Sequence, residues 1–254
     1  MIGIFDSGVG GLTVVKEIKK TLPDAPIIYF GDTARLPYGN KSAQTIQGFS
    51  SEIVEFLKSK DCKTIVIACN TASALAADYL REKYPDLRIY DVVSSGAEAA
   101  VEATKNKKIG VIGTTATINS GVYRKKIIEL DSSIKIFTKA CPLFVHLVEE
   151  DWIRRPETRK IARTYLRPLK IEKVDTLLLG CTHYPLLDKV ISGVMGRRTK
   201  LVSSGRKLAE ELARENENLK KSKDEYYVSD LTPHFEDLAK KILGKKIKIE
   251  KINV

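Results

Sequence analysis

Two glutamines, two methionines, one tryptophan and three histidines are all that a chain of 254 residues contains of these types. No run approaches the roughly 20 apolar residues of a membrane span, so no transmembrane helix is expected. The four cysteines lack the spacing of a small disulfide scaffold and read as reduced thiols. No second Cys/His pair stands at zinc-like spacing, so no metal is expected. The opening Ile2-Gly3-Ile4-Phe5 reads as a strand, with no basic leader or cleavage site, and a cytoplasmic location is expected. The glycine-rich run Asp6-Ser7-Gly8-Val9-Gly10-Gly11 lacks a dinucleotide fingerprint, because the last glycine of that pattern falls at Thr13. It is no phosphate loop either, since no Gly-Lys-Ser/Thr follows.

What is present is ordinary in bulk. Hydrophobic content of 43% and charged content of 30% suit a globular protein with one large domain or two small ones. The net charge of +11 raises nucleic-acid binding as a possibility. The lysines are dispersed, however, with local clusters at Lys105-Asn106-Lys107-Lys108, Lys220-Lys221 and Lys245-Lys246 that are not interleaved with aromatics. A basic solvated surface is the simpler reading, and nucleic acid is not expected as a partner. A positive field also favours a small acidic substrate. Few glutamines beside many Lys and Glu are compatible with a thermophilic source.

Apolar runs of strand length alternate with amphipathic stretches. Strands are expected near 2–5, 27–30, 64–68, 88–92, 109–112, 134–137, 175–179, 200–202 and 247–252. Helices are expected near 10–21, 41–60, 72–84, 94–104, 119–130, 142–150, 156–170, 184–195, 204–217 and 232–243. Pro156 and Pro233 suit first helical turns, and Thr232 suits an N-cap. This alternation predicts an α/β fold with mainly parallel sheets flanked by helices. The chain also repeats: Ile2-Gly3-Ile4-Phe5-Asp6-Ser7-Gly8 is echoed by Ile109-Gly110-Val111-Ile112-Gly113-Thr114-Thr115. A duplicated α/β domain explains the echo, with strand ends of both halves facing one cleft.

Two segments carry the chemistry. Thr64-Ile65-Val66-Ile67-Ala68-Cys69-Asn70-Thr71 and Thr176-Leu177-Leu178-Leu179-Gly180-Cys181-Thr182-His183 are each an apolar strand ending on a cysteine and small polar residues. The carboxyl ends of strands in open α/β sheets are where ligands bind. A lone cysteine there is most often a small buried hydrophobe. The polar residues that follow are costly to bury without partners and suit a ligand site instead. Two thiols across a cleft can remove a proton from one face of a carbon and return one to the other, which is racemisation without a cofactor. Cys62 and Cys141 lack this context and read as structural.

Several loops stay open between two readings. Asp6 either caps the first helix or faces a ligand. Tyr38, in Asp32-Thr33-Ala34-Arg35-Leu36-Pro37-Tyr38-Gly39, either closes over a ligand or packs. Thr114 and Thr117 offer hydroxyls at a strand end, where capping is equally open. His183 reads as an acid/base partner of Cys181. Glu149 and Glu150 end an amphipathic stretch, where such acids usually form a solvated face.

Together these motifs resemble the glutamate racemase family of bacterial cell-wall metabolism, within the aspartate/glutamate racemase superfamily. The matching strings are Gly3-Ile4-Phe5-Asp6-Ser7-Gly8-Val9-Gly10-Gly11-Leu12-Thr13, Gly31-Asp32-Thr33-Ala34-Arg35 with Pro37-Tyr38-Gly39, and Ala68-Cys69-Asn70-Thr71-Ala72-Ser73. They continue with Ile109-Gly110-Val111-Ile112-Gly113-Thr114, Ala140-Cys141-Pro142-Leu143-Phe144 and Leu179-Gly180-Cys181-Thr182-His183-Tyr184-Pro185-Leu186. The likeness runs from residue 2 to about residue 243. It implies interconversion of L- and D-glutamate without pyridoxal phosphate or any other cofactor, supplying D-glutamate for peptidoglycan. It implies Cys69 and Cys181 as the catalytic thiols, Asp6 assisting Cys69, and Glu149 and His183 assisting Cys181. Asp6, Ser7, Tyr38, Gly39, Asn70, Thr71, Thr114, Thr117, Thr182 and His183 become the candidates for holding substrate. The implied fold is two similar α/β domains, 1–93 with 207–254 carrying Cys69 and 94–206 carrying Cys181, with the site between them. A homodimer is expected. Four positions depart from the family pattern: Ser95 and His146 where Pro is usual, Asp151 where Gly is usual, and Ser203 where Asp is usual. The rival readings are an aspartate racemase, an amino-acid-binding or regulatory protein, and a nucleic-acid-interacting protein.

Overall fold

The apolar runs 2–5, 27–30, 64–67 and 176–179 are continuous rather than alternating, as strands covered on both faces must be. The computed structural model, which describes residues 1–215 and 222–252, buries every one of these residues. The first half of the chain runs β1 (Ile2–Asp6), α1 (Leu12–Thr21), β2 (Ile27–Gly31), α2 (Ala43–Ser59), β3 (Thr64–Ile67), α3 (Asn70–Lys83), β4 (Arg88–Asp91) and α4 (Val92–Ala103). The second runs β5 (Lys108–Gly113), α5 (Thr115–Asn119), α6 (Val122–Leu130), β6 (Lys135–Ala140), α7 (Leu143–Glu149), α8 (Pro156–Ile171), β7 (Thr176–Gly180), α9 (Asp188–Met195) and β8 (Lys200–Val202). The chain then adds α10 (Ser204–Glu215), β9 (Glu225–Val228), α11 (Pro233–Leu243) and β10 (Glu250–Lys251).

Among the described residues every strand pairing is parallel. One sheet has the order β10-β9-β2-β1-β3-β4 and the other β6-β5-β7-β8. The duplication is written in these orders: β2-β1-β3-β4 and β6-β5-β7-β8 are the same arrangement twice. Cys69 follows β3 and Cys181 follows β7, so the two thiols occupy equivalent places in the two lobes. Helices cover both faces of the first sheet, giving one core with Ile2, Ile4, Val15 and Leu208 and another with Phe5, Ile53, Val54 and Ile65. The second sheet is packed likewise by Phe144, Leu166 and Ile191 on one face and Val93, Ala97 and Ile127 on the other.

Several expected elements shift. The helix expected at 119–130 is two, because Gly121 adopts a left-handed φ of 68° between α5 and α6. The stretch 184–195 begins as a 3₁₀ turn, Tyr184–Leu187, before α9. The strand expected at 247–252 shrinks to β10. β9 was not foreseen at all. It pairs with β2 in the register Tyr29↔Tyr226 and carries the C-terminal segment back to the first sheet. Positions 216–217 of the helix expected at 204–217, and the Lys220-Lys221 cluster, lie outside the described residues. Thr232 does cap α11, its Oγ accepting from Phe235 N at 3.2 Å. Among the described residues no helix is long and apolar enough to cross a membrane.

Candidate active site

Both cysteines sit where a strand hands over to a polar turn. Cys69 occupies the N-cap position of α3, whose first turn holds Asn70 and Thr71. Its sulfur therefore stands at a helix N-terminus, where the backbone N–H of Ala72 reaches it. Cys181 directly follows β7, with Thr182 and His183 leading into the 3₁₀ turn. The two thiols line one small cavity of about 20 Å³. Ser7, Tyr38, Gly39, Asn70, Thr71, Thr114, Thr182 and His183 line it with them, as do Leu36, Pro37 and Val145. Asp6, Glu149 and Thr117 stand behind this wall and reach it through hydrogen bonds.

On the Cys69 side, Asp6 is fully buried at the end of β1. Its Oδ2 accepts from Gly8 N at 3.0 Å and Gly11 N at 2.9 Å, while its Oδ1 accepts from Thr182 Oγ1 at 3.3 Å. It thus ties the glycine loop of the first lobe to the cysteine loop of the second, binding the backbone ahead of α1 from behind the cavity wall. Burial raises its pKa, and the charge of His183 and these hydrogen bonds pull the other way. Cys69 Sγ donates to Ser7 Oγ at 3.8 Å. Burial, reinforced by the Asp6 carboxylate, pushes the Cys69 thiol up to about 12. At neutral pH that sulfur is a thiol.

The Cys181 side is built differently. His183 Nδ1 lies 3.8 Å from Cys181 Sγ, and His183 Nε2 lies 2.5 Å from Glu149 Oε1. Burial works against protonation of His183, but hydrogen bonds to Cys181 and Glu149 and their negative charge outweigh it and hold the imidazole well above its ordinary 6.5. An imidazolium then faces the Cys181 sulfur. A histidine raised in this way contributes stability that is whole below 6.5 and is lost as pH rises through the raised value. Thermal melts of the wild type should therefore show the melting temperature falling as pH climbs above 7. A His183→Gln variant should show a flatter dependence; equal slopes would contradict the pairing.

Hydroxyls stitch the far end of the cavity across the lobes. Thr71 Oγ1 lies 3.0 Å from Thr114 Oγ1 and 3.3 Å from Thr117 Oγ1, and Thr114 also caps α5. Tyr123 donates to Asn70 Oδ1 at 2.6 Å. Tyr38 both packs and lines the cavity: its ring meets Phe49 at 5.9 Å and its hydroxyl donates to Asp32. Glu149 is not on a solvated face; only Glu150, one residue on, is exposed. Asp151, where the family pattern has Gly, holds a left-handed φ of 55° just past α7. Ser95 is buried and donates to Glu211 Oε2 at 2.7 Å. His146 is exposed on α7, and Ser203 precedes α10. Residues with no local signal complete the framework. Thr13 Oγ1 donates to Thr182 O at 3.1 Å, and Tyr29 OH donates to Gly8 O at 2.5 Å.

Comparison with known proteins gives the family. The family model for Asp/Glu/Hydantoin racemase matches residues 7–212. A glutamate racemase of Geobacter metallireducens is 46% identical over 253 residues, covering 97% of this chain and 93% of that protein. The chain belongs to the glutamate racemase family. It is an isomerase of the racemase type. Among solved structures, a glutamate racemase isoform from Bacillus anthracis superposes with a TM-score of 0.95 at 38% identity, covering 100% of this chain and 97% of that one. A glutamate racemase from Francisella tularensis, solved in complex with D-glutamate, gives a TM-score of 0.92 at 35% identity, covering 100% and 97%.

Proposed function

We propose that the chain interconverts L- and D-glutamate, with Cys69 and Cys181 acting on opposite faces of the α-carbon. The observation that carries this reading is the pair of thiols at equivalent strand ends of a duplicated fold, lining one cavity. Their surroundings differ in the sense the chemistry needs. Only a thiolate is a base, and the sulfur beside the His183 imidazolium is the better placed to hold negative charge. Cys69, held protonated, is the acid that delivers a proton to the other face. After one turnover the roles are exchanged, and His183 and Asp6 relay protons to restore them. Ser7, Asn70, Thr71 and Thr182 supply preorganised polar groups for the substrate carboxylate and the charge developing on the carbanion. The first lobe is taken as 1–93 with 207–254 and the second as 94–206, in line with the strands each sheet contains.

A cavity of about 20 Å³ holds little more than one water, which needs roughly 10–15 Å³. Glutamate does not fit so small a space, so in this reading the lobes part for its entry and close around it, excluding water from the thiols. The role is to supply D-glutamate for peptidoglycan, in the cytoplasm, by a homodimer that needs no added cofactor.

The decisive experiment follows pure D-glutamate and pure L-glutamate in deuterium oxide, with D-aspartate as competitor substrate. Circular dichroism should show racemisation of glutamate, with D-aspartate at least about a hundredfold poorer, since a shortened chain leaves buried polar groups unpaired. At low conversion, proton NMR should find deuterium at the α-carbon of the product and little in recovered substrate. Original protium retained in the product would rule out one thiol per face.

A further inference from the structure

The turn 149–151 lies at a junction between lobes. Glu149 ends α7, whose Phe144, Val145, Leu147 and Val148 pack into the core of the second sheet. α11 belongs to the other lobe, burying Phe235, Leu238, Ala239 and Ile242 in the core with Ile2, Ile4 and Val15. Two polar side chains of α11, seven residues and so two helical turns apart, emerge on one face and reach across. His234 Nε2 donates to the backbone carbonyl of Glu149. Lys241 Nζ pairs with Asp151 Oδ2 at 2.6 Å. The carbonyl His234 meets belongs to the last turn of α7, where the helix supplies no partner of its own. Asp151 is also the left-handed position where the family pattern has Gly; here it carries a carboxylate that Lys241 grips.

Neither contact is strong as a stabiliser. The ion pair is exposed, and such pairs add little to stability. What they add together is direction. The backbone they hold carries the Glu149 side chain, whose Oε1 lies 2.5 Å from His183 Nε2. We propose that His234 and Lys241 are positioning residues: from the first lobe they clamp the turn 149–151 so that Glu149 holds His183 in line with Cys181. Both contacts cross from one lobe to the other, so parting the lobes would break them. Alignment of the relay is therefore completed by closure itself, after glutamate has entered. The proposal rests on the reading of Cys181 as a reacting thiol.

The test compares His234→Ala, His234→Gln and Lys241→Ala with the wild type, in kinetics and in histidine NMR titration. Enantiomers have equal free energies, so kcat/KM must be the same from either side in every variant. His234→Ala should lower it about tenfold, and Lys241→Ala about threefold, the losses falling on kcat because neither residue lines the small cavity that the two thiols share. His234→Gln keeps an amide donor and should recover most of the loss. The sequence has three histidines, so the His183 resonances are assignable by elimination. The groups facing His183 are Glu149 from α7, Cys181 from its own loop and Asp6 from the end of β1. With Glu149 loosened, the His183 midpoint should drop in His234→Ala and Lys241→Ala, and return in His234→Gln. An unchanged His183 midpoint in a folded His234→Ala or Lys241→Ala overturns the clamp, as does unchanged kcat/KM in both. A wild type that racemises no glutamate instead overturns the function reading, while the NMR arm still decides the clamp.

Discussion

Cys69→Ser and Cys181→Ser are each expected to lower glutamate racemisation by about a thousandfold or more, equally in both directions, while the chain stays folded. A serine hydroxyl is a far weaker acid than a thiol, so it gives no useful alkoxide at neutral pH, and it hands a proton to a carbanion less readily. Under the proposed mechanism both defects act on every turnover, because each direction uses one sulfur as base and the other as acid. Packing makes the contrary prediction. Cys69 and Cys181 are both buried, and a purely structural cysteine replaced by serine lowers stability yet leaves the specific activity of the folded fraction intact. Measuring kcat/KM beside the melting temperature separates the two. Near-normal turnover in either variant would remove that sulfur from the chemistry.

The surroundings of the two sulfurs sharpen the expectation. His183 is charged and linked to Glu149 on one side; Asp6 is buried and tied to two backbone amides on the other. A two-base racemase at rest needs one base and one acid ready at once. Two identical environments would produce two thiols or two thiolates. The duplicated fold provides equivalent positions, and in the proposed mechanism their unlike neighbours are what let the two sulfurs take different roles.

The sequence made the thiols legible for a physical reason. β3 and β7 are covered on both faces, so their residues form unbroken apolar runs, and a cysteine followed by Asn-Thr or Thr-His marks the end of each run without ambiguity. β9 had no such mark. Its four residues, Glu225–Val228, follow a charged stretch and owe their strand state to pairing with β2, nearly two hundred positions earlier. Gly121 shows the same limit on a smaller scale: one left-handed residue divides a stretch that reads as a single helix. The hydroxyl of Tyr38 turned to Asp32, the Thr13 bond to Thr182 and the His234 bond to Glu149 are tertiary in origin. None leaves a periodic trace. Glu149 was the most ambiguous, since an acid at a helix end looks the same in solvent as it does beside a buried histidine.

The close approach of the lobes makes Gly10→Ala a damaging change that replaces no titratable group. A Cβ on Gly10 would lie 2.4 Å from Thr182 Oγ1, 2.6 Å from His183 Nδ1 and 2.8 Å from His183 Cε1. These are side chains on the turn that carries Cys181, and both are held: Thr182 by Asp6, His183 by Glu149. Neither can swing aside without giving up its bond, so the turn must retreat by about an ångström. A displacement of that size in reacting groups costs about a hundredfold in rate. Gly10→Ala should accordingly lose about a hundredfold in kcat/KM, with the His183 titration displaced as well. Gly48 provides the control. It sits exposed within α2 with nothing within 4 Å of a would-be Cβ. Gly48→Ala should leave kcat/KM unchanged and stabilise the fold by about 0.5–1 kcal/mol, through the entropy that a helical glycine loses. Wild-type activity in Gly10→Ala would mean that the contact between the glycine loop and the Cys181 turn does not belong to the state in which the chemistry occurs.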